Sequence, residues 1–174
     1  MKNLNKLMAL TIALVGFSAA SQAQSTASAT ATATVVTPIA ITRTSHMNFG
    51  NLSVQTATGG TVVLAPAGTR VSTSGVTLPA TAGTVSAAAF TVTGSGTYTY
   101  AITLPSSAVT LTHSGGVGSG VMTATAFTST PSGTGALVAG TQNITVGATL
   151  NVGAAQAAGV YGTLTNFDVT VNYN

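Results

Sequence analysis

Apolar and polar residues alternate along much of this chain, which is the pattern that half-buried β-strands produce. The alternation is strict at residues 27–35, where Ala or Val at each odd position is separated by Ser or Thr. Branching at Cβ suits a pleated surface, so the runs rich in Val, Thr, Ile and aromatic residues predict about nine or ten short strands. Beyond residues 27–35, those runs are 61–64, 90–93, 98–104, 109–112, 121–127, 143–146, 149–152 and 167–173.

Turn-forming residues separate the predicted strands. The chain has 20 Gly and 5 Pro, and each Pro lies at or near a predicted strand end, where its missing N–H does least harm. Residues 94–96 predict a hairpin between the runs at 90–93 and 98–104, and residues 115–120 predict a mobile glycine loop. Short strands at even spacing indicate an all-β sandwich or barrel.

The N-terminus has the three-part layout of a secretory signal. Two Lys residues precede an apolar run at 7–17, and small residues stand at the −3 and −1 positions of a cut after Ala23. The run is shorter than the roughly 20 apolar residues that cross a bilayer. We therefore expect residues 1–23 to be a signal peptide. The mature protein, residues 24–174, would be exported to the periplasm, the cell surface or the medium.

Charge is scarce in this chain. Only 3% of the residues are charged, where an ordinary globular domain has about 25%. After the predicted signal peptide, Arg43, Arg70 and Asp168 are the charged residues that remain. Neutralising a phosphate backbone takes several Lys or Arg, so we expect no nucleic-acid partner. The chain has no Cys and therefore no disulfide, and no later run is long and apolar enough to predict a transmembrane segment.

The expected strand edges lack their usual protection. Soluble β-proteins guard edges with Lys, Pro or bulges, and the mature chain has no Lys. Its outer faces would present Thr, Ser and Asn, and a net charge near zero favours association. We therefore expect a homo-oligomer or a fibre. The alternative is a monomer whose edges are covered by its own loops.

The end of the chain carries a specific pattern. The last run is apolar at every second position and has an aromatic residue in the penultimate place: Phe167, Val169, Val171 and Tyr173. This pattern resembles the C-terminal strand of chaperone–usher pilins, with which the periplasmic chaperone pairs in that family. The resemblance implies an assembly strand and a periplasmic chaperone as partner. An ordinary core strand is the alternative interpretation.

The start of the mature chain, residues 24–37, is interpreted as an N-terminal extension or a first strand, followed by a single domain at 38–174. The opening alternation resembles a pilin's extension, which completes the fold of the neighbouring subunit by strand addition. The resemblance implies an immunoglobulin-like or pilin-like β-sandwich of short antiparallel strands. It also implies a donor strand whose alternate side chains enter a groove, namely Ala27, Ala29, Ala31, Ala33 and Val35.

An ordered series of segments covers most of the mature chain: residues 29–42, 47–51, 65–70, 89–94, 102–105, 146–153 and 169–173. Together they resemble the domain-of-unknown-function 4402 family of bacterial secreted proteins. This resemblance implies an exported β-domain without an established activity.

Residues able to carry catalysis or bind a metal are few. Asp168 is the only acid, and its place in the alternation puts it opposite the apolar row, toward solvent. His46, His113, Asp168 and a Ser could be combined into a triad on paper, but the chain has no G-x-S-x-G elbow. Two distant His and one Asp do not make a metal site, and the glycine run lacks the Lys of a phosphate loop. We expect no catalytic residue, no metal and no cofactor, and we expect each His to be a loop residue.

The remaining candidates have two interpretations each. Arg43 and Arg70 either bind a carboxylate, such as that of Asp168, or lie exposed and aid solubility. Tyr98, Tyr100 and Tyr161 either form a sugar-stacking surface or fill core and rim positions. Core anchors are expected at the four aromatic positions Phe49, Phe90, Phe127 and Phe167.

These patterns favour an exported, non-enzymatic structural protein, a cell-surface or fimbria-like subunit that assembles by β-strand complementation. The alternative is a secreted monomeric β-sandwich that binds sugar or another surface through its Tyr and Thr rows. Ice or crystal-face binding would need regular Thr repeats, and the pattern becomes irregular after Thr34.

Overall fold

The structure, a computed structural model, describes residues 24–116, 120–163 and 166–174. The predicted signal peptide, residues 1–23, and the middle of the predicted glycine loop lie outside these ranges. The chain divides into two units, residues 1–35 and residues 36–174. None of the described residues forms a helix with the length and hydropathy of a membrane span.

The second unit is all-β, and its strands among the described residues are short. In chain order they are β1 (Ala40–Ser45), β2 (Asn48–Phe49), β3 (Ser53–Val54), β4 (Gly60–Leu64), β5 (Arg70–Ser74), β6 (Val76–Thr77), β7 (Val85–Ser86), β8 (Ala88–Thr93), β9 (Thr99–Thr103), β10 (Val109–His113), β11 (Val121–Thr130), β12 (Thr134–Ala136), β13 (Thr141–Val152), β14 (Tyr161–Thr163) and β15 (Thr170–Tyr173).

All strand pairs are antiparallel and form one large and three small sheets. The large sheet has eight strands in the order β1-β8-β13-β11-β10-β14, with β4 also paired to β13 and β5 paired to β4. The second sheet has the order β12-β9-β15, and two small sheets pair β2 with β7 and β3 with β6. Strand β13 is the centre of the large sheet, because β8 and β4 pair with its two halves while β11 runs along its other side.

Alternation in β13 explains why the large sheet buries one face. Ile144 and Val146 are fully buried and Leu150 is nearly so, while the Thr and Asn residues between them face outward. Burying such side chains contributes roughly 1.5–3 kcal/mol each, which holds the sheet against its cover. The inward residues fall into two core clusters, so the predicted all-β, sandwich-like fold is confirmed.

The first core cluster contains residues from the large sheet and from the short strands over it: Phe49, Val62, Leu64, Val76, Met122, Ala124, Ala148, Leu150 and Val152. The second joins the large sheet to the three-stranded sheet: Ala88, Val92, Tyr100, Ile102, Leu137, Ile144, Val146, Val169 and Val171. The three-stranded sheet therefore covers only part of the large sheet's inner face.

The predicted hairpin between residues 90–93 and 98–104 is wrong. Strand β8 pairs with β1 and β13, whereas β9 pairs with β12 and β15. After β8 the chain crosses from one sheet to the other, so Val92 and Tyr100 meet inside the second core cluster instead of across a ladder. Burial of both strands on facing sheets favours this crossing over local pairing.

Two predicted strands, 143–146 and 149–152, are one continuous strand in the structure. Gly147 joins them within β13, and a Cβ there would lie 2.1 Å from the Leu64 carbonyl oxygen. A glycine at this point is needed because the neighbouring backbone approaches too closely for any side chain.

The 27–35 segment does not form a strand in this structure. Residues 24–39 carry no helix or strand, and the first strand begins at Ala40. Every residue from 24 to 35 is exposed, and Val35 retains 96% of its accessible surface. The five prolines all lie outside strands, as the sequence predicts.

Candidate functional site

A cleft of about 1020 Å³ opens on the inner face of the large sheet. Its floor is built from inward side chains of five strands of that sheet: Ile41, Ala88, Phe90, Val109, Leu111, Met122, Ala124 and Leu150. Its rim is built from residues 46–54, 156–163 and 166–169. The cleft touches both core clusters, since Met122 belongs to the first and Val169 to the second. It therefore extends along the apolar interior where the three-stranded sheet no longer covers it.

Aromatic side chains give the cleft its apolar character. Phe90 lies on the floor, and Phe127 packs against Phe167 with ring centroids 5.1 Å apart. All three are half-buried and belong to the surroundings of the second core cluster. Phe49 is buried in the first cluster, so all four predicted aromatic anchors pack in or against the core. Exposed aromatic surface inside an open cleft favours a ligand with apolar side chains.

The strands nearest the cleft have unpaired backbone along one side. Among the described residues, β1 pairs only with β8 and β15 only with β9, and residues 166–169 form no ladder at all. Cα atoms of β1 and β15 approach within 8 Å of each other. Free N–H and C=O groups on a strand edge can pair with another extended chain.

The predicted C-terminal assembly strand divides into two parts. Its inward residues follow the predicted alternation: Phe167 and Tyr173 are half-buried, while Val169 and Val171 are buried. Strand β15, however, begins only at Thr170, and of the four inward residues Phe167 and Val169 line the cleft. Val171 and Tyr173 pack in or against the second core cluster instead.

The predicted donor residues are placed by the structure on an exposed segment. Ala27, Ala29, Ala31, Ala33 and Val35 carry no ladder hydrogen bonds within the described chain, and each is exposed. They belong to the first unit of the chain.

Two charged side chains lie at the cleft. Arg43 is exposed on β1, paired in register with Phe90, and Asp168 is exposed on the rim. Within the described ranges no ion pair joins Asp168 to Arg43 or Arg70, so of the two interpretations given for Arg43 the structure favours an exposed side chain. His46 also lines the cleft, but the described residues hold no cluster of three or more His, Asp or Glu side chains suited to a metal.

Arg70 has a structural role that the sequence pattern did not predict. Its guanidinium donates to the carbonyl oxygens of Phe49, of Asn51 at 2.7 Å and of Ala82 at 3.3 Å. Gly50, between the first two acceptors, has φ +68, and a Cβ there would meet the Ala82 oxygen at 2.4 Å. Arg70 thus holds one rim loop of the cleft in place.

The three tyrosines lie in different surroundings, which favours core and rim positions over a shared sugar-stacking surface. Tyr100 is fully buried and donates to Gln142 Oε1 at 2.5 Å, and burial raises the pKa of its phenol. Tyr161 packs edge-on against His113, with centroids 5.0 Å apart. Tyr98 is half exposed and lies against Tyr173. Tyr100 is therefore a core residue, and Tyr161 is a rim residue of the cleft.

The imidazole ring of His113 contacts the backbone of the cleft rim at Ala158. Its Nδ1 accepts from the Gly115 N–H at 2.9 Å, and its Nε2 lies 3.1 Å from the Ala158 carbonyl oxygen. The first bond makes Nδ1 the acceptor, so Nε2 is the protonated donor toward Ala158. His113 lies within β10 and is not a loop residue as expected, whereas His46 follows the end of β1.

The model of the family described as "Domain of unknown function (DUF4402)" matches residues 39–173. The chain belongs to the DUF4402 family. Searches of curated proteins and of solved structures found no match.

The DUF4402 match covers the second unit from the residue before β1 to the penultimate Tyr173, and the 27–35 segment lies before it. Two of the segments that carry the resemblance, 47–51 and 65–70, meet at the Arg70 hydrogen bonds. The likeness of the chain ends to pilins stays a prediction.

Proposed function

We propose that this DUF4402 protein is an exported, non-enzymatic structural subunit that builds a cell-surface or fimbria-like fibre by β-strand complementation. Two features of the same chain together support the proposal. The folded unit has an apolar cleft beside unpaired backbone, and the 27–35 segment is exposed, alternates, and pairs with no strand in the part of the chain that the structure describes.

The chemistry of the two parts is complementary. In strand addition, main-chain hydrogen bonds supply affinity and alternate side chains fill pockets. Nine extended residues span about 30 Å, with all odd-numbered side chains on one face. The Ala and Val side chains of that face are small, which suits a cleft already narrowed by Phe90, Phe127 and Phe167. The Ser and Thr residues between them would face water.

The C-terminal segment would serve as one flank of the acceptor cleft. Phe167 and Val169 line it, and residues 166–169 carry no ladder hydrogen bonds. Before assembly, a periplasmic chaperone would cover the same apolar surface, since an open cleft of this kind invites aggregation. Export by the predicted signal peptide would bring the chain to the compartment where both partners are found.

Deletion of residues 25–35 tests the proposal. The full chain and the deletion variant are expressed with the predicted signal peptide, and the exported products are sized by light scattering and electron microscopy. The full chain is expected to form fibres or a ladder of oligomers, and the deletion variant to stay monomeric. Assembly of the deletion variant to the same sizes would show that another surface joins the subunits.

A second candidate function rests on the outer face of the large sheet. One register row crosses five strands with only Thr and Asn side chains: Thr73, Thr61, Asn151, Thr123 and Thr110. Hydrogen bonds fix the row, with the Thr61 and Thr73 hydroxyls 2.7 Å apart and Asn151 donating to Thr125 at 3.0 Å. An uncharged polar row suits a neutral polysaccharide. Sedimentation with insoluble glycans, compared between the wild type and Thr61→Val with Thr123→Val, tests it.

A further inference from the structure

The penultimate tyrosine is bonded to the base of the N-terminal extension. Tyr173 Oη donates to the Thr37 carbonyl oxygen at 2.9 Å and accepts from the Ser95 N–H at 2.7 Å. A Cβ on Gly94 would lie 2.2 Å from this hydroxyl, so the site is built tightly around it. Thr37 is thereby fixed three residues before Ala40, where β1 begins.

The register of β1 gives the direction of the chain at Thr37. Ala40 pairs with Thr93 at the end of β8, and Arg43 pairs with Phe90 beside the cleft. Thr37 therefore lies toward the Gly94–Ser95 end of the large sheet, and β1 runs from there toward the cleft. For the 27–35 segment to enter the cleft of its own chain, residues 36–39 would have to reverse direction.

Pro38 opposes such a reversal. Its ring fixes φ near −65°, while tight hairpin turns of types I′ and II′ need a positive φ at the first central residue. The residue before a proline, here Thr37, is also restricted to extended conformations. A wider turn built on type I geometry accepts proline, so against such a turn the direction of the chain rests on the hydrogen bond between Tyr173 and Thr37.

We infer that Tyr173 and Pro38 direct the 27–35 segment away from its own cleft and so make a second copy of this chain the acceptor. This inference rests on the proposed strand complementation. It adds that the segment enters another copy, which gives fibres, and does not close on its own chain, which would give monomers. Tyr173 acts as a positioning residue: its hydroxyl fixes the exit of the extension at Thr37. Pro38 supplies the stiffness that the single hydrogen bond lacks.

The test uses a chain without natural cysteine. Ala31→Cys is combined with Val109→Cys, because Val109 lines the cleft and is only half-buried, and disulfides are mapped after mild oxidation. A disulfide within one chain reports self-insertion, and a disulfide between chains reports donation. In the otherwise wild-type chain we expect disulfides between chains. Tyr173→Phe should raise the ratio of internal to intermolecular disulfides about fivefold, the factor that one ordinary hydrogen bond supplies.

Two variants and one binding measurement keep the test specific. Tyr98→Phe is the matched control, because the Tyr98 ring packs at a tilt against Tyr173 and its hydroxyl has no hydrogen bond within the described residues. Pro38→Gly should raise the same ratio without touching Tyr173. A synthetic peptide of residues 24–37 should bind the 25–35 deletion variant equally with and without Tyr173→Phe, since the cleft itself is unchanged.

The outcomes separate the two proposals. If neither kind of disulfide forms in the wild-type background, the complementation mechanism fails and this inference fails with it. If disulfides form between chains and neither Tyr173→Phe nor Pro38→Gly changes the ratio, complementation stands and the directing role is overturned. A lower peptide affinity in Tyr173→Phe would also overturn it, because the tyrosine would then be part of the acceptor.

Discussion

The guanidinium of Arg70 donates a 2.7 Å hydrogen bond to the backbone carbonyl of Asn51, nineteen residues earlier in the chain. The same group reaches the carbonyls of Phe49 and Ala82, so one side chain joins strand β5 to strand β2 and to the loop that contains Ala82. A planar fork of donors suits several acceptors at once, which an ammonium group cannot reproduce. Arg70 therefore maintains the rim of the cleft instead of binding a ligand.

Replacement of Arg70 tests that structural role. Arg70→Lys removes at least one charge-assisted hydrogen bond and should lower the free energy of unfolding by about 2 kcal/mol. Chemical denaturation of the purified protein measures the loss. Arg43→Lys is the control, because Arg43 is exposed, and it should change the stability by less than about 0.5 kcal/mol. Equal effects of the two replacements would contradict the assigned role.

Gly147 should tolerate no side chain. Gly147→Ala would place Cβ 2.1 Å from the Leu64 carbonyl oxygen, so β4 or β13 must move and stability should fall by about 3 kcal/mol. Gly162→Ala, on the edge strand β14, meets nothing within 4 Å and should change stability by less than about 0.5 kcal/mol. Thermal unfolding of both variants checks the contrast. A neutral Gly147→Ala would mean that β4 and β13 are not packed as closely as described.

Tyr100 should make the fold sensitive to alkaline pH. Burial raises the pKa of its phenol above the ordinary value near 10, so the folded state favours the protonated form. The stability from this group is complete below the ordinary pKa and is lost as pH rises through the raised one. Tyr100→Phe should cost about 1 kcal/mol near neutral pH through its bond to Gln142 and should reduce the alkaline loss.

Denaturation curves at several pH values from 7 to beyond 10 measure both effects of Tyr100→Phe. The matched control is Tyr98→Phe, whose half-exposed ring lies outside the core and which keeps Tyr100 intact. An alkaline loss that is the same in Tyr100→Phe and in the wild type would contradict the assignment.

In the 27–35 segment, the effect of an added charge on assembly should depend on whether it lies at an odd or an even position. Ala31→Asp would carry a carboxylate into an apolar cleft, and desolvation of an unpaired charge would block assembly. Thr32→Asp places the same charge on the side that faces water and should leave assembly within about twofold of the wild type. Light scattering at equal protein concentration compares the two. Equal inhibition by both would mean that no alternating face is buried.

Local patterns were sufficient to predict the all-β class and several strands, whereas β1 and β5 have no matching predicted run. Alternation in runs such as 121–127 and 149–152 requires only that one face be buried, so β11 and the second half of β13 follow from the sequence. The pairing partners did not follow, because pairing depends on distant contacts. The turn at residues 94–96 looks like a hairpin locally, yet β8 and β9 gain more from facing each other across the core.

The candidate site was less predictable than the fold. The ends of the chain suggested a donor segment and an acceptor strand, but the sequence contains no sign of where a cleft opens. The Thr37–Tyr173 hydrogen bond joins residues 136 positions apart, and the role of Arg70 depends on three backbone carbonyls. Backbone acceptors leave no residue pattern, so such contacts appear only in the folded chain.

The most direct test of strand complementation maps which residues of the 27–35 segment enter the cleft of another copy. Single cysteines at each position from 27 to 35 are mixed with a second population that carries Val109→Cys on the cleft floor, and disulfide-linked dimers are quantified. Thr110→Cys is the control, because its side chain lies on the opposite face of β10. Strand complementation predicts crosslinks to Val109→Cys at odd positions and few at even ones, with none to Thr110→Cys. Crosslinking without a two-residue period, or equal crosslinking to both sites, would contradict it.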